Sequence, residues 1–132
     1  MKGTGLPTVT AILDVLLDRP TTTRRELPDE EPVEVMDAIL AEMGAARGDR
    51  VAVLVNSLGA TPLMELYILN RRVAQRLAET GLIVHRTLVG PLCTSLEMVG
   101  ASITVMHLDE ELQRLLDHPC ACAMYQQEAG RC

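Results

Sequence analysis

Two short polar stretches carry the groups in this chain that could do chemistry. The first is Asn56-Ser57-Leu58-Gly59-Ala60-Thr61, between the apolar run Val51–Val55 and an amphipathic segment. Asn56 and Ser57 offer donors and acceptors, and Gly59 lets backbone approach a ligand closely. A helix starting at Thr61 would add free amides for an anion or a carbonyl oxygen. The same residues serve equally well as a tight strand-to-helix turn that Thr61 merely caps. The lysine of a Gly-x-x-x-x-Gly-Lys-Ser/Thr phosphate loop is absent, so that class is excluded. The second stretch is Thr94-Ser95-Leu96-Glu97. No Gly-x-Ser-x-Gly elbow surrounds Ser95, and hydroxyls in loops ordinarily bond backbone. Glu97 becomes a general acid or base only where burial raises its pKa. Asn56, Ser57, Gly59, Thr61, Thr94, Ser95 and Glu97 are therefore candidate ligand- or partner-facing positions, and none is assigned a catalytic role. Alanine at Asn56 or Ser95 is expected to cost little stability and to weaken any partner complex.

The remaining reactive side chains point elsewhere. His85, His107 and His118 have no partner at ligand spacing and read as structural. His118-Pro119-Cys120-Ala121-Cys122 holds soft ligands, but it lacks both Cys-x-x-Cys spacing and a second ligand pair. It reads as an irregular tail that binds no metal. The chain has 132 residues, 48% hydrophobic and 23% charged, which suits one domain with one modest core. With no Phe, no Trp and two Tyr, that core must be aliphatic, filled by Leu, Val, Ile, Met and Ala. A net charge of −6 without a basic block repels phosphate, and aromatic platforms are missing, so nucleic acid is excluded as a partner. No apolar run reaches membrane-spanning length and Met1-Lys2-Gly3 begins no signal peptide, so a cytoplasmic protein is expected.

Hydrophobic periodicity places these stretches on elements. Val9, Ile12, Leu13, Leu16 and Leu17 recur at helical spacing and predict a helix over Thr8–Asp18, ending at Arg19-Pro20. Thr21 to Glu31 is polar and reads as a loop or an edge strand. Val33, Met36, Ile39, Leu40 and Met43 predict a second helix over Pro32–Ala46. Asp49–Val55 is a strand whose unbroken apolar run implies burial under helices on both faces. Thr61-Pro62 opens a helix that stops at Gly81. Leu82–Val89 and Ala101–Leu108 are further strands, the latter free to run either way. Asp109 caps a short helix, Glu110–Asp117, with Leu112, Leu115 and Leu116 facing inward. The outcome is an α/β fold: one small domain, with a mostly parallel or mixed sheet packed with helices. Each candidate loop leaves the carboxyl end of its strand, and a crossover helix makes those strands parallel. The loops must therefore meet at one end of the sheet, as a polar rim.

Three stretches carry a family resemblance. They are Val55-Asn56-Ser57-Leu58-Gly59-Ala60-Thr61-Pro62-Leu63-Met64-Glu65-Leu66-Tyr67, Leu88-Val89-Gly90-Pro91-Leu92-Cys93-Thr94-Ser95-Leu96-Glu97-Met98-Val99-Gly100, and Ser102-Ile103-Thr104-Val105-Met106-His107-Leu108-Asp109-Glu110-Glu111-Leu112 with Leu115-Leu116-Asp117. In order and spacing, residues Arg50 to Asp117 resemble the C-terminal part of the dihydroxyacetone (glycerone) kinase substrate-binding subunit. The resemblance implies phosphoryl transfer to dihydroxyacetone, with ATP or a phosphoryl carrier held by partner subunits and no cofactor bound by this chain. In the family, a histidine in a Gly-Ile-His-Gly-Glu-Pro-Gly segment carries the substrate as a covalent hemiaminal. That segment is not among these residues, and His85, His107 and His118 fall at other positions. No catalytic residue carries over. The expected partners are other kinase subunits or the missing N-terminal half, and a second copy of the chain in a homodimer or larger homo-oligomer. The alternative is a non-catalytic regulatory or assembly domain derived from the same family. An independent small-molecule-binding domain is a more distant third.

Overall fold

The computed structural model describes residues 8–13, 31–123 and 125–128. Its elements are β1 (Thr8–Leu13), α1 (Glu31–Met43), β2 (Arg50–Ser57), α2 (Leu63–Thr80), β3 (Ile83–Gly90), β4 (Ala101–Leu108), α3 (Glu110–Leu116), β5 (Cys120–Ala121) and β6 (Gln126–Gln127). The four long strands form one mixed sheet in the order β1-β4-β2-β3. β2 and β3 run parallel through the α2 crossover, and β4 runs antiparallel to both β2 and β1. The chain is therefore α/β, as its periodicity implies.

The first element differs from the expected helix. Thr8–Leu13 is a strand, with Thr8 opposite Met106 and Leu13 opposite Ala101. The stretch is rich in β-branched residues (Thr8, Val9, Thr10 and Ile12), and β4 offers an open edge for it to pair with. Pairing along a whole strand outweighs an apolar spacing that also fits a helix. Leu16, Leu17, Arg19-Pro20 and the stretch 21–30 lie outside the described residues.

Among the described residues, burial under helices holds for one face of the sheet only. Val51, Val53 and Val55 of β2 and Ile103 and Val105 of β4 are buried together. They pack against Met36, Ile39 and Met43 of α1 and Leu66, Leu69, Val73 and Leu77 of α2. Along β2 burial alternates, and Ala52 and Leu54 on the other face are half-buried. So are Leu88, Thr104 and Met106, which share their level in the register. Five apolar residues in a row are thus read by the fold as a two-sided strand with one covered side.

Local signals set most element ends. α2 stops at Gly81, whose φ of 77° is the left-handed conformation that glycine adopts without strain. The Asp109 side chain accepts the Leu112 N–H at 2.7 Å and caps α3, as expected. None of the α3 leucines is buried, however, and Leu115 is exposed, which corrects the inward-facing reading. The cysteine-bearing tail is not irregular: β5 and β6 pair antiparallel, Cys120 opposite Gln127.

Candidate functional site

Because β2 and β3 are parallel, Asn56 stands level with Gly90 and the two candidate loops leave the same end of the sheet. They are joined there by backbone. The Leu58 N–H donates to the Gly100 carbonyl at 3.0 Å, the Ala60 N–H to Met98 at 3.0 Å, and the Ser95 N–H to Leu58 at 2.9 Å. Gly59 and Met98 form an isolated parallel bridge. Thr61 was expected to cap α2. Instead its hydroxyl donates to the Gly100 carbonyl at 2.7 Å and accepts the Gly100 N–H at 2.9 Å. It pins the two loops together, and α2 begins after Pro62 without a side-chain cap.

Asn56 is the centre of this junction. It is 2% exposed. Its amide donates to the Cys93 carbonyl at 2.7 Å and the Ser102 hydroxyl at 3.2 Å. Its oxygen accepts the N–H groups of Leu92 at 2.9 Å and Cys93 at 2.8 Å. Every bonding position of the side chain is thereby filled. Alanine here removes a buried side chain and all four of its hydrogen bonds, three of them to part-buried backbone groups of Leu92 and Cys93, so a loss of stability larger than the mild one read from the sequence is expected. Ser57 is buried too, donating to the Thr61 carbonyl and accepting the Gly59 N–H. Gly59 has φ +138°, and a Cβ there would overlap the Ser95 carbonyl oxygen. Ser95 is exposed, with its hydroxyl donating to the Leu58 carbonyl at 3.1 Å. Thr94 is exposed, as is Glu97, whose φ of 56° is left-handed. Asn56, Ser57 and Thr61 therefore build the loop pair, and Thr94, Ser95 and Glu97 lie on its outside.

The outer surface is less polar than the expected rim. Leu92, Leu96, Met98 and Val99 are exposed along the second loop, with Leu96 96% accessible. Leu63, Met64, Tyr67 and Ile68 are exposed on the first turns of α2. The signal was readable: four apolar residues within Pro91–Val99 cannot be buried by a helix or strand they do not belong to. A stiff backbone presenting apolar side chains is suited to binding by packing, not to proton transfer.

The opposite end of the sheet carries the ionisable pairs. His85 Nε2 lies 2.8 and 3.0 Å from the two carboxylate oxygens of Asp117. Arg86 donates to Asp117 at 2.9 Å, to the Leu116 carbonyl at 2.9 Å, and to Gln127. These bonds tie the β5–β6 hairpin and the end of α3 to β3. His107 Nε2 lies 3.2 Å from Asp49 Oδ2. Asp49 also accepts the Ala46 N–H, and that bond, with help from His107, holds its carboxyl below the ordinary value. No sequence signal links residues about thirty positions apart, such as His85 and Asp117. Among the described residues no cluster of three or more His, Cys, Asp or Glu could hold a metal ion, and no helix is long and apolar enough to cross a membrane.

Comparison with known proteins places this geometry among relatives. The family model described as the Dak1 domain matches residues 19–124. The dihydroxyacetone-binding subunit DhaK of the PTS-dependent dihydroxyacetone kinase 2 of Listeria innocua is 44% identical over 98 residues, covering 74% of this chain and 30% of that protein. The corresponding subunit of the PEP-dependent dihydroxyacetone kinase of Escherichia coli is 51% identical over 72 residues, covering 54% of this chain and 20% of that protein. The chain spans less than a third of the length of these relatives. Two solved structures share the fold. One, described by the regulation of the dha operon of Lactococcus lactis, has a TM-score of 0.71 and 30% identity, covering 80% of this chain and 34% of that one. The other, described as the dihydroxyacetone kinase operon co-activator Dha-DhaQ, has a TM-score of 0.63 and 32% identity, covering 70% and 30%.

Proposed function

Since the chain belongs to the Dak1 domain family, we propose that it contributes to phosphoryl transfer to dihydroxyacetone as part of a substrate-binding subunit, and only together with partner polypeptides. The observation that carries this reading is the family match over residues 19–124, within which the joined loop pair lies whole. The loop pair acts by holding a neighbouring substrate-binding segment in register. Its inward polar groups are saturated and its outward side chains are largely apolar, so it offers packing and rigidity to whatever lies above it. ATP or a phosphoryl carrier sits on the partner subunits, and the assembly is cytoplasmic. Self-association of the chain belongs to the same reading, since exposed apolar side chains of this extent are ordinarily covered.

Incubation of the purified chain with dihydroxyacetone, ATP and magnesium is expected to give no glycerone phosphate above the blank. Addition of the companion kinase subunits together with the substrate-binding segment of the N-terminal half should give turnover. Turnover by the chain alone, abolished by Ser95→Ala, would overturn the dependence on partners.

A second reading, a regulatory or assembly domain, is supported by the two structural neighbours, whose descriptions name operon regulation and a co-activator. It requires that kinase activity be unchanged by this chain in every subunit mixture. A chain required for turnover sets that reading aside.

A further inference from the structure

The β5–β6 hairpin carries a pair of thiols whose spacing suits reversible chemistry. Cys120 and Cys122 are both free and exposed. Successive side chains of a strand alternate between its faces, so residues two apart share one face. The ladder that sets Cys120 opposite Gln127 continues to Cys122, whose N–H donates to the Tyr125 carbonyl at 2.8 Å. Cys122 therefore still belongs to the extended arm. At a rise of about 3.3 Å per residue, the two Cα atoms stand about 6.6 Å apart. A disulfide bridges Cα atoms about 4.4–6.8 Å apart and is most relaxed near about 5.5–6 Å. The bond can form, but only by drawing β5 out of its extended geometry. A strained and exposed disulfide is easily reduced again, which makes the step reversible.

The register decides what that strain reaches. Cys120, Cys122, Tyr125 and Gln127 share one face of the hairpin, where the Tyr125 hydroxyl donates to Gln127 at 2.8 Å. The Gln127 amide donates to the Leu116 carbonyl at 2.7 Å and the His118 carbonyl at 3.0 Å, and its oxygen accepts from Arg86. These bonds seat the hairpin on the end of α3 and on β3, beside a cavity of about 550 Å³ that Arg86 and Gln127 both line. Cys93 belongs to the other end of the sheet, where its backbone is bonded to Asn56. We propose that Cys120 and Cys122 form a dithiol site for low-molecular-weight disulfides, closing to an intrachain disulfide that loosens the hairpin from Arg86. One cysteine thiolate attacks a sulfur of oxidised glutathione, giving a mixed disulfide and releasing one glutathione thiolate. The other cysteine attacks the protein sulfur of that mixed disulfide and releases the second glutathione. Two protein thiols are oxidised, one disulfide is reduced to two thiols, and the two cysteine protons end on the released thiolates. The site works without kinase partners and stands apart from the function proposed above.

Incubation of the reduced full chain with excess oxidised glutathione, then trypsin and mass spectrometry, tests the bond. Cleavage after Arg114 and Arg131 leaves both cysteines in one peptide, apart from Cys93 and Cys132. That peptide should lose two hydrogens and carry no glutathione. Cys120→Ser and Cys122→Ser should each stop at the mixed disulfide, with glutathione retained on the remaining cysteine. Hydrogen exchange reads the consequence. In the oxidised chain the hairpin amides, Cys122 among them, should exchange about tenfold faster while the loop pair around Asn56 is unchanged. The double variant should show no response to oxidised glutathione. Stable glutathione on both cysteines, or a bond from either to Cys93 or Cys132, overturns the proposal. So does an internal disulfide that leaves exchange in the hairpin unaltered.

Discussion

Gly59 shows how one residue fixes the geometry of the loop pair. Its φ of +138° lies where a side chain is strained, and its Cα hydrogens face the Ser95 carbonyl at a distance no Cβ can share. The contact is with backbone, so no rotamer change can relieve it. Gly59→Val is therefore expected to destabilise the fold by about 2–3 kcal/mol, adding a steric clash to backbone strain. Gly44 provides the control: it too has a positive φ, but a Cβ there meets nothing within 4 Å. Gly44→Ala should cost about 1 kcal/mol, the conformational cost alone. Urea denaturation of the two variants checks the difference. Equal shifts in midpoint would mean that the close approach of the two loops is not maintained in solution.

At the scale of the element, the sequence was most legible where a signal is local. The ends of α2 and α3 follow from Gly81 and Asp109, and β4 runs from Ala101 to Leu108 as its composition implies. Misreadings arose where the deciding interaction is distant. β1 looks helical by spacing and is a strand because β4 is available to pair with it. Asn56 looks like an exposed ligand residue and is instead consumed by groups 36 to 46 positions away. Thr61 looks like a cap and bonds Gly100. The run Val51–Val55 is a fourth case, because composition cannot say which strand face the helices cover. Here a measurement separates the faces. Val53 is 3% exposed beneath α1 and α2, so Val53→Ala should cost about 2–3 kcal/mol as buried methyls leave a cavity. Leu54→Ala removes more carbon, yet from a half-buried position, and should cost about 1 kcal/mol. A larger loss at Leu54 than at Val53 in thermal or chemical unfolding would show that a further layer covers the second face.

Taken as a whole, the molecule is polarised along its strands. The carboxyl ends of β2 and β3 are held by neutral hydrogen bonds around Asn56 and Thr61. The amino ends of β2 and β3, with the end of β4, are held by ionisable partners around Asp49 and Asp117. Acid should therefore act on the two ends unequally. The Asp49 carboxyl titrates below its ordinary value of 3.8, because the Ala46 N–H and His107 favour the charged form. A group whose pKa is lower in the folded state stabilises the fold above its unfolded value, and that contribution is lost as pH falls through the folded value. The window therefore opens near pH 3.8 and extends downward. General charge effects have the opposite sign at first, since protonating a chain of net charge −6 relieves repulsion. Asp49→Asn isolates the specific effect. The variant should be less stable than the unaltered chain near neutrality, and the gap should narrow as pH falls below about 4. Midpoints of urea unfolding at a series of pH values supply the comparison. A gap that stays constant down to pH 2 would mean that Asp49 holds the turn as a neutral hydrogen-bond acceptor, with its charge contributing nothing.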